Sequence, residues 1–322
     1  MIRQAAFDGP ERMLRGALHS HTTRSDGDGT PEEVLRAYAS KHFDFVALTD
    51  HRIYNYRNFA PDTGITVIPG MEMDRSLPGT SVHCHHIVSI GPEQGAGNGF
   101  AQDQRFGTAR ISTAAECQEM IDMLHANGNM TMYCHPEWSG VTPREFETLR
   151  GNFAMEIWNS GCAIENGLDT NAAYWDELLA QGQRIYGAAT DDGHAMTHHG
   201  NGWVMVRSEN SVSAILAALR EGAFYSSCGP EILDFHVENG VARVRCSEAA
   251  EIQLRQLRVP YDVVRAEAGR PLTEAAFRIR RGGGAMYVRA VVRDAQGRRA
   301  WTNPIFLEES DNPDPECRLP PG

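Results

Sequence analysis

Gly16-Ala17-Leu18-His19-Ser20-His21 is a short apolar run that closes on two histidines one residue apart. A run of this length, with no helical period, predicts a buried strand. Side chains alternate along a strand, so His19 and His21 leave from the same side. Asp26 follows a few residues on. The pattern then repeats along the chain. Phe45–Leu48 is followed by Asp50 and His51, and Ile65–Ile68 by Glu72. Met130–Tyr133 is followed by His135. Phe153–Trp158 contains Glu156 and runs into Asn159. Ile185–Ala189 is followed by Asp191, Asp192 and His194. The run Ile87–Ile90 is the exception: His83, His85 and His86 stand at its start. Trp203–Val206 is a further run of strand length.

Helical patterns lie between several of these runs: Pro31–Ser40, Ala114–Ala126, Ala172–Ala180 and Val212–Arg220. The first has Thr30 as N-cap and Pro31 at its first position. The second opens on a capping box, Thr113 to Glu116, and has Gly128 just past its end. Strands alternating with helices predict an α/β fold with a largely parallel sheet. In a (β/α) barrel the C-terminal strand ends converge on the face that holds the active site. The acidic residues and histidines are therefore expected to meet in space. Gly91 to Thr108, rich in Gly, Gln and Asn, predicts a long loop, either a lid or a mobile insertion.

The pattern changes near Cys228. Phe235–Val237, Asn239-Gly240 and Val241–Val244 predict a hairpin with an Asn-Gly turn. Ile252–Leu257 and Tyr287–Val292 alternate as half-buried strands do, and a second turn falls at Ala295-Gln296-Gly297. The chain thus divides into residues 1–228, a β-sandwich-like module over 229–309, and a Pro-rich tail, 310–322, expected to be disordered.

Composition narrows the function. The chain has 322 residues, 30 basic and 42 acidic, for a net charge of −12. A broad basic footprint for long nucleic acid or an anionic membrane is not expected. Lys41 is the only lysine and no GxxxxGK(S/T) occurs, so lysine Schiff-base and P-loop chemistry are not expected. Seven cysteines with no CxxC pair fit a reducing cytoplasm. No apolar run is long enough to span a membrane, and the first residues carry no secretory pattern. Imidazoles and carboxylates without a thiolate set suit Zn, Mn or Fe. A set larger than four or five ligands implies more than one ion, and paired ions can clamp a phosphoryl group and activate water.

Leu18-His19-Ser20-His21, Ser25-Asp26-Gly27, Leu48-Thr49-Asp50-His51, Gly70-Met71-Glu72, His86-Ile87-Val88, His135-Pro136 and Asp192-Gly193-His194 occur in this order. The ordered set resembles the PHP (polymerase and histidinol phosphatase) superfamily over about residues 14–230. The resemblance implies a distorted (β/α)7 barrel with a trinuclear centre of two to three divalent metals (Mn, Zn or Fe). By motif, the metal ligands would be His19, His21, Asp26, His51, Glu72, His86, His135, Asp192 and His194. Glu72 would bridge two metals, and metal-bound hydroxide would be the nucleophile. His83 or His85 competes with His86, and Asp191 with Asp192. The segments Phe224-Tyr225-Ser226-Ser227, Gly229-Pro230-Glu231-Ile232 and Ala300-Trp301-Thr302-Asn303-Pro304 look like the branch that includes carbaryl hydrolases.

Other residues are weighed singly. Asp50 is read as orienting a ligand histidine. Glu156 and Asn159 sit at a strand end, although Glu156 could instead cap a helix or pair with an arginine. Arg24, Arg52, Arg57 and His199 are candidates for substrate binding, as is Trp138 for an aromatic group. Tyr54 and Tyr56 could stack in the same way. His198 could donate a proton to the leaving group, alongside Glu72, Asp192 and His194 as catalytic residues. Cys84 and Cys134 are expected to turn away from the site. Two chemistries fit: hydrolysis of a small phosphomonoester or phosphodiester, or of an aryl carbamate or carboxylic ester. A non-catalytic metal-binding module is the weaker reading, because no matched ligand position is lost.

Overall fold

The structure is a computed structural model that describes residues 3–9, 11–74, 84–107, 113–256, 259–279 and 287–307. His83, Thr108 and the tail at 310–322 lie outside the described residues. The first part of the chain contains β1 (Gln4–Ala5), β2 (Met13–Ala17), α1 (Pro31–Ser40), β3 (Phe45–Ala47), β4 (Thr66–Ile68) and β5 (Gly70–Met73). It continues with β6 (Ile87–Ile90), α2 (Ala114–Ala126), β7 (Met130–Tyr133), α3 (Pro143–Phe146), β8 (Asn152–Asn159), α4 (Ser160–Asn166) and α5 (Asn171–Ala180). β9 (Tyr186–Thr190), β10 (Trp203–Arg207), α6 (Val212–Glu221) and β11 (Phe224–Ser227) complete it. The rest is all strand: β12 (Ile232–Glu238), β13 (Val241–Ala249), β14 (Glu251–Gln256), β15 (Val259–Arg265), β16 (Leu272–Arg278), β17 (Tyr287–Arg293), β18 (Arg299–Thr302) and β19 (Ile305–Phe306).

Local chemistry accounts for the helices. Thr30 and Glu33 form a reciprocal capping box on α1, as Thr113 and Glu116 do on α2. α1 buries Val34, Leu35 and Tyr38, and α2 buries Cys117, Met120, Ile121 and Leu124. Asn159 caps α4 by accepting the Cys162 N–H, and Gly167 ends that helix in the left-handed region. The Asn239-Gly240 turn has positive φ at both residues, as a two-residue hairpin of this type requires.

The protein is mixed α/β, but its ladders differ from a closed, parallel barrel. One sheet runs β15-β14-β17-β18-β11-β10-β2-β3-β4, and a second runs β5-β6-β7-β8-β9. No ladder joins the two sheets among the described residues; isolated bridges do, including Ser20 to Gly193 and His51 to Glu72 at the end where the histidines gather, and Ser226 of β11 hydrogen-bonds to Gly187 and Ala189 of β9. Within the second sheet β6 runs antiparallel to β5 and β7, whereas β7, β8 and β9 are parallel. This reversal explains the histidines at the start of the Ile87–Ile90 run. Ile87 pairs with Met73 and with Tyr133, so the N-terminal end of β6 lies beside the C-terminal ends of its neighbours.

Two ladders link the C-terminal strands to the first part of the chain. β18 pairs with β11, and β1 joins β12, β13 and β16 in a four-stranded sheet. Phe235, Val244, Ile252, Leu254, Val288 and Ala290 belong to the apolar core of this region. A buried ion pair ties it to α5: Arg289 donates through Nε and Nη2 to Asp176 Oδ1, at 2.9 and 2.6 Å, with Trp175 against the guanidinium. Both side chains are almost fully buried. Removing one partner of such a pair strands a charge in a dry interior. Asp176→Ala is expected to cost about 3–5 kcal/mol, seen as a lower denaturant midpoint at unchanged slope. A variant as stable as the wild type would refute this role.

The Gly91–Thr108 stretch is not a free loop over residues 91–107. Phe100 packs in the core, Asn98 donates to Asn129, and Phe106 N–H donates to the Arg52 carbonyl. Tyr54, read as a candidate stacking residue, is buried beneath it with its hydroxyl on Pro92 O and Asn129 Oδ1.

Candidate metal centre

Seven of the nine matched side chains line one pocket of about 360 Å3, and His19 and His21 lie fully buried against its Glu72 and Asp192. Backbone bonds fix their spacing. Asp192 N–H donates to His19 O, His21 N–H to Gly193 O, Glu72 N–H to Thr49 O, and Cys134 N–H to His86 O. His135 and Asp192 both have positive φ, 23° and 47°. Non-glycine residues rarely tolerate this, and such strain persists where the surroundings over-determine it.

The potential ligand atoms fall into overlapping groups, each within 4.8 Å. His19, His21, Glu72 and Asp192 form the deepest. His21, Asp26, His51 and His194 form a second, more open to solvent. Glu72, His86 and His135 form a third. His19, with Cys134 and Glu156, belongs to a fourth, so His19, His21 and Glu72 are each shared by two groups. Glu72 is the hub: its carboxylate lies 2.9 Å from His51 and from His86, and 3.3–3.4 Å from His19, His21 and His135.

These residues fit divalent metals. His51 Nδ1, Glu72 Oε2, His86 Nε2 and Asp192 Oδ1 are buried and form no hydrogen bond among the described residues. His51 Nδ1 and Glu72 Oε2 are only 2.9 Å apart, yet neither is satisfied by the other. Buried polar atoms are normally paired. Four unpaired lone-pair donors pointing into one cavity suit cations of borderline hardness.

The electrostatics point the same way. Burial opposes charge on His19, but Asp192, Glu72 and Glu156 outweigh it and raise its pKa well above the usual value. Burial likewise works against an ionised Glu72, and His19, His51 and His86 overcome it, so its pKa falls. His194 is pushed up to about 9, with Asp26 and Asp192 prevailing over burial.

Supporting residues surround the ligand set. Glu156 Oε1 lies 2.6 Å from His19 Nδ1, and Oε2 accepts the His135 N–H at 2.9 Å. Glu156 is thus an orienting group, neither a helix cap nor an arginine partner. Asn159 donates to both Glu156 and Asp192, at 3.0 and 3.1 Å. Asp50 does not touch a ligand histidine. It holds the turn after His21 by accepting from Thr22 N, Thr22 Oγ1 and Ser25 Oγ. Asp191 points away from the pocket to the amides of Gly200, Asn201 and Gly202 and to the Tyr38 hydroxyl. His85 is drawn off by the Tyr133 hydroxyl at 2.7 Å, which leaves His86 facing the site.

Several sequence expectations are corrected. Arg24, Arg52 and Arg57 do not line the pocket. Arg24 is held by Asp103 and Asn55, Arg52 by Asp74, and Arg57 is exposed near Asp103. His199 is fully buried, against Tyr38 and Gly193, with neither ring nitrogen bonded. Cys134 is not turned away: its thiol lies within reach of His19 and Glu156, although burial raises its pKa and keeps it neutral. Trp138 does line the pocket, edge-on to His86 and His135. His198 stands at the pocket with Nε2 3.4 Å from Glu165. Glu165 and Asn166 also line it; they sit on the short helix α4, whose seven residues follow β8 directly and are too few to show a helical period. Asp74, 3.3 Å from His51, was legible as the second residue after Glu72 on one strand face.

The pocket's residues agree with an independent likeness. Residues 17–162 match the family model of the PHP domain. The matched span contains His19 to Asn159, while Asp192 and His194 lie beyond it. No curated protein matches this chain. Among solved structures, one from Bacteroides vulgatus is described as a two-domain protein containing a predicted PHP-like metal-dependent phosphoesterase. It shares 14% identity at a TM-score of 0.48, over 94% of this chain and 98% of that one. Another, an amidohydrolase from Chromobacterium violaceum with bound sulfate and no metal, shares 17% identity at a TM-score of 0.40, over 56% of this chain and 87% of that one. No helix among the described residues is long and apolar enough to cross a membrane.

Proposed function

We propose that the chain is a metal-dependent hydrolase acting as a phosphoesterase on a small phosphomonoester or phosphodiester. The observation that carries this reading is the set of overlapping ligand groups that share Glu72 and His21. On this reading the nine matched side chains hold two to three divalent ions (Mn, Zn or Fe), and the two sheets act as the halves of a distorted (β/α)7 barrel, residues 1–228, with 229–309 as an appended β module. Metals held there supply an activated water and a counter-charge to the phosphoryl oxygens. The chain's own groups do the rest. Glu156 and Asn159 fix the orientation of His19 and the position of Asp192. Ala195 N–H donates to His198 Nδ1 at 3.4 Å, which leaves the ring proton on Nε2 at the pocket. His198 then holds the leaving oxygen by a hydrogen bond from Nε2–H, with Glu165 beside it, and the leaving oxygen takes its proton from water. Trp138 offers an apolar wall to the leaving group.

A second reading has an observation of its own. The pocket is walled by Trp138, and none of the three candidate arginines reaches it. That arrangement suits an aryl carbamate or carboxylic ester, as in the carbaryl-hydrolase-like branch. Turnover of four matched nitrophenyl compounds by Mn- or Zn-loaded protein separates the two: phosphomonoester, phosphodiester, carboxylic ester and N-methylcarbamate. A phosphate compound is expected to lead by at least about tenfold, or about 1.4 kcal/mol. A leading carbamate or ester would overturn the phosphoesterase assignment.

A further inference from the structure

Beyond α4 from the metal pocket lies a second cavity of about 560 Å3. It is lined by Arg15 of β2, by Trp158 and Ile164, by Trp203 at the start of β10, and by Arg298 and Arg299 of the C-terminal region. Its volume falls within the range of small-molecule sites.

Two features distinguish it from a surface crevice. The first is aromatic. Trp158 and Trp203 are both only half-buried although they face a concavity. The Trp158 ring is held in place, because its Nε1–H donates to Ser160 Oγ at 3.1 Å. A fixed, partly uncovered indole offers a ready platform for a planar group. The second feature is charge. Three arginines line the cavity against one carboxylate, Asp169, in a chain whose net charge is −12. Arg299 donates to Asp169 at 3.1 Å, and Arg298 is held by Asp294 at 2.7 Å. Arg15 has no ion pair among the described residues. Its guanidinium lies 3.7 Å from the centroid of Trp203 and 4.4 Å from that of Phe43. Nη1 donates to the Lys41 carbonyl, while Nε is buried without a hydrogen-bond partner. A guanidinium against two rings, partly dehydrated and with no carboxylate in direct contact among the described residues, can take a carboxylate or phosphate.

We propose that this cavity binds a small planar aromatic anion, its ring on the open indole surface and its acid group on Arg15. The site is separate from the metal pocket: α4 presents Gly161, Cys162 and Glu165 to that pocket and Ile164 to this one.

Calorimetric titration of the metal-loaded full chain tests this, with 4-chlorobenzoate, phenylphosphonate and the neutral 4-chlorobenzamide as probes. At least one anion is expected to bind saturably, with the amide about tenfold weaker or more. Stronger binding of the benzoate or the phosphonate tells whether a carboxylate or a phosphate is preferred. Arg15→Gln should weaken binding by a similar factor and leave turnover of the nitrophenyl substrates unchanged. Arg298→Ala, on a half-exposed side chain, repeats the test should Arg15→Gln misfold. Three results would overturn the proposal: no binding of either anion at millimolar concentration, equal binding of the amide, or binding that survives both arginine variants and is lost in Glu72→Gln.

Discussion

Glu72→Gln is expected to abolish turnover and to remove metal from the protein in the same step. The substitution keeps the shape of the side chain and deletes only its charge and one acceptor oxygen. Five histidines lie within 3.4 Å of that carboxylate, and two of the overlapping ligand groups include it. Loss of a shared ligand therefore disturbs more than one ion position. Metal ions of this kind supply several kcal/mol of transition-state charge stabilisation, so kcat should fall by ~10^3 or more. Metal content per chain, measured by elemental analysis, should fall with it. The metal-free variant should also be less stable than metal-free wild type, by about 3–5 kcal/mol, because Glu72 is what neutralises the buried imidazolium groups around it. Full activity, or lost activity at full metal content, would refute the ligand assignment.

The same carboxylate shows why much of this site was legible in the sequence and why parts were not. His19, His21, His51, His135 and Asp192 all follow apolar strand-length runs, and strand ends at one edge of a sheet converge. That inference needs only local pattern and alternation. His86 broke the pattern because β6 is antiparallel to both neighbours, and nothing in Ile87–Ile90 itself signals direction. Glu156 sits inside an apolar run, where a carboxylate is tolerated only with partners. Those partners, His19, His135 and Thr190, come from three other segments. The arginines failed for the complementary reason. Arg24, Arg52 and Arg57 follow the motif strands, as phosphate-binding residues would, but Asp103 and Asp74 claim them. Charge pairing over tens of residues is invisible to a local reading. Strand direction and sheet order were equally out of reach, since β6 and β10 run antiparallel to both their neighbours and nothing in their own residues signals it.

Chelation is expected to stop turnover, and reloading the chelated protein with Mn or Zn near pH 7.5 should release protons. The sign follows from the histidines. Without metal, carboxylates raise the pKa of His19 and His51 despite burial, and of His194 to about 9. At pH 7.5 these rings carry protons that metal binding must displace, because only neutral imidazole coordinates. A raised folded-state pKa also contributes stability that is complete below the unfolded value, near 6.5, and is lost as pH rises through the folded value. Chelated protein should therefore lose stability between about pH 6.5 and 9, the window set by His194. Metal affinity should rise across that same window, since fewer protons remain to be displaced. The two curves thus run in opposite directions, and thermal midpoints of chelated and loaded protein should diverge as pH increases. Proton release is read from an indicator dye in weak buffer, with more than one proton per chain expected. Proton uptake, or a chelated protein whose stability climbs from pH 6.5 to 9, would mean that the imidazoles are neutral before metal arrives, and the carboxylates would then serve the metals alone.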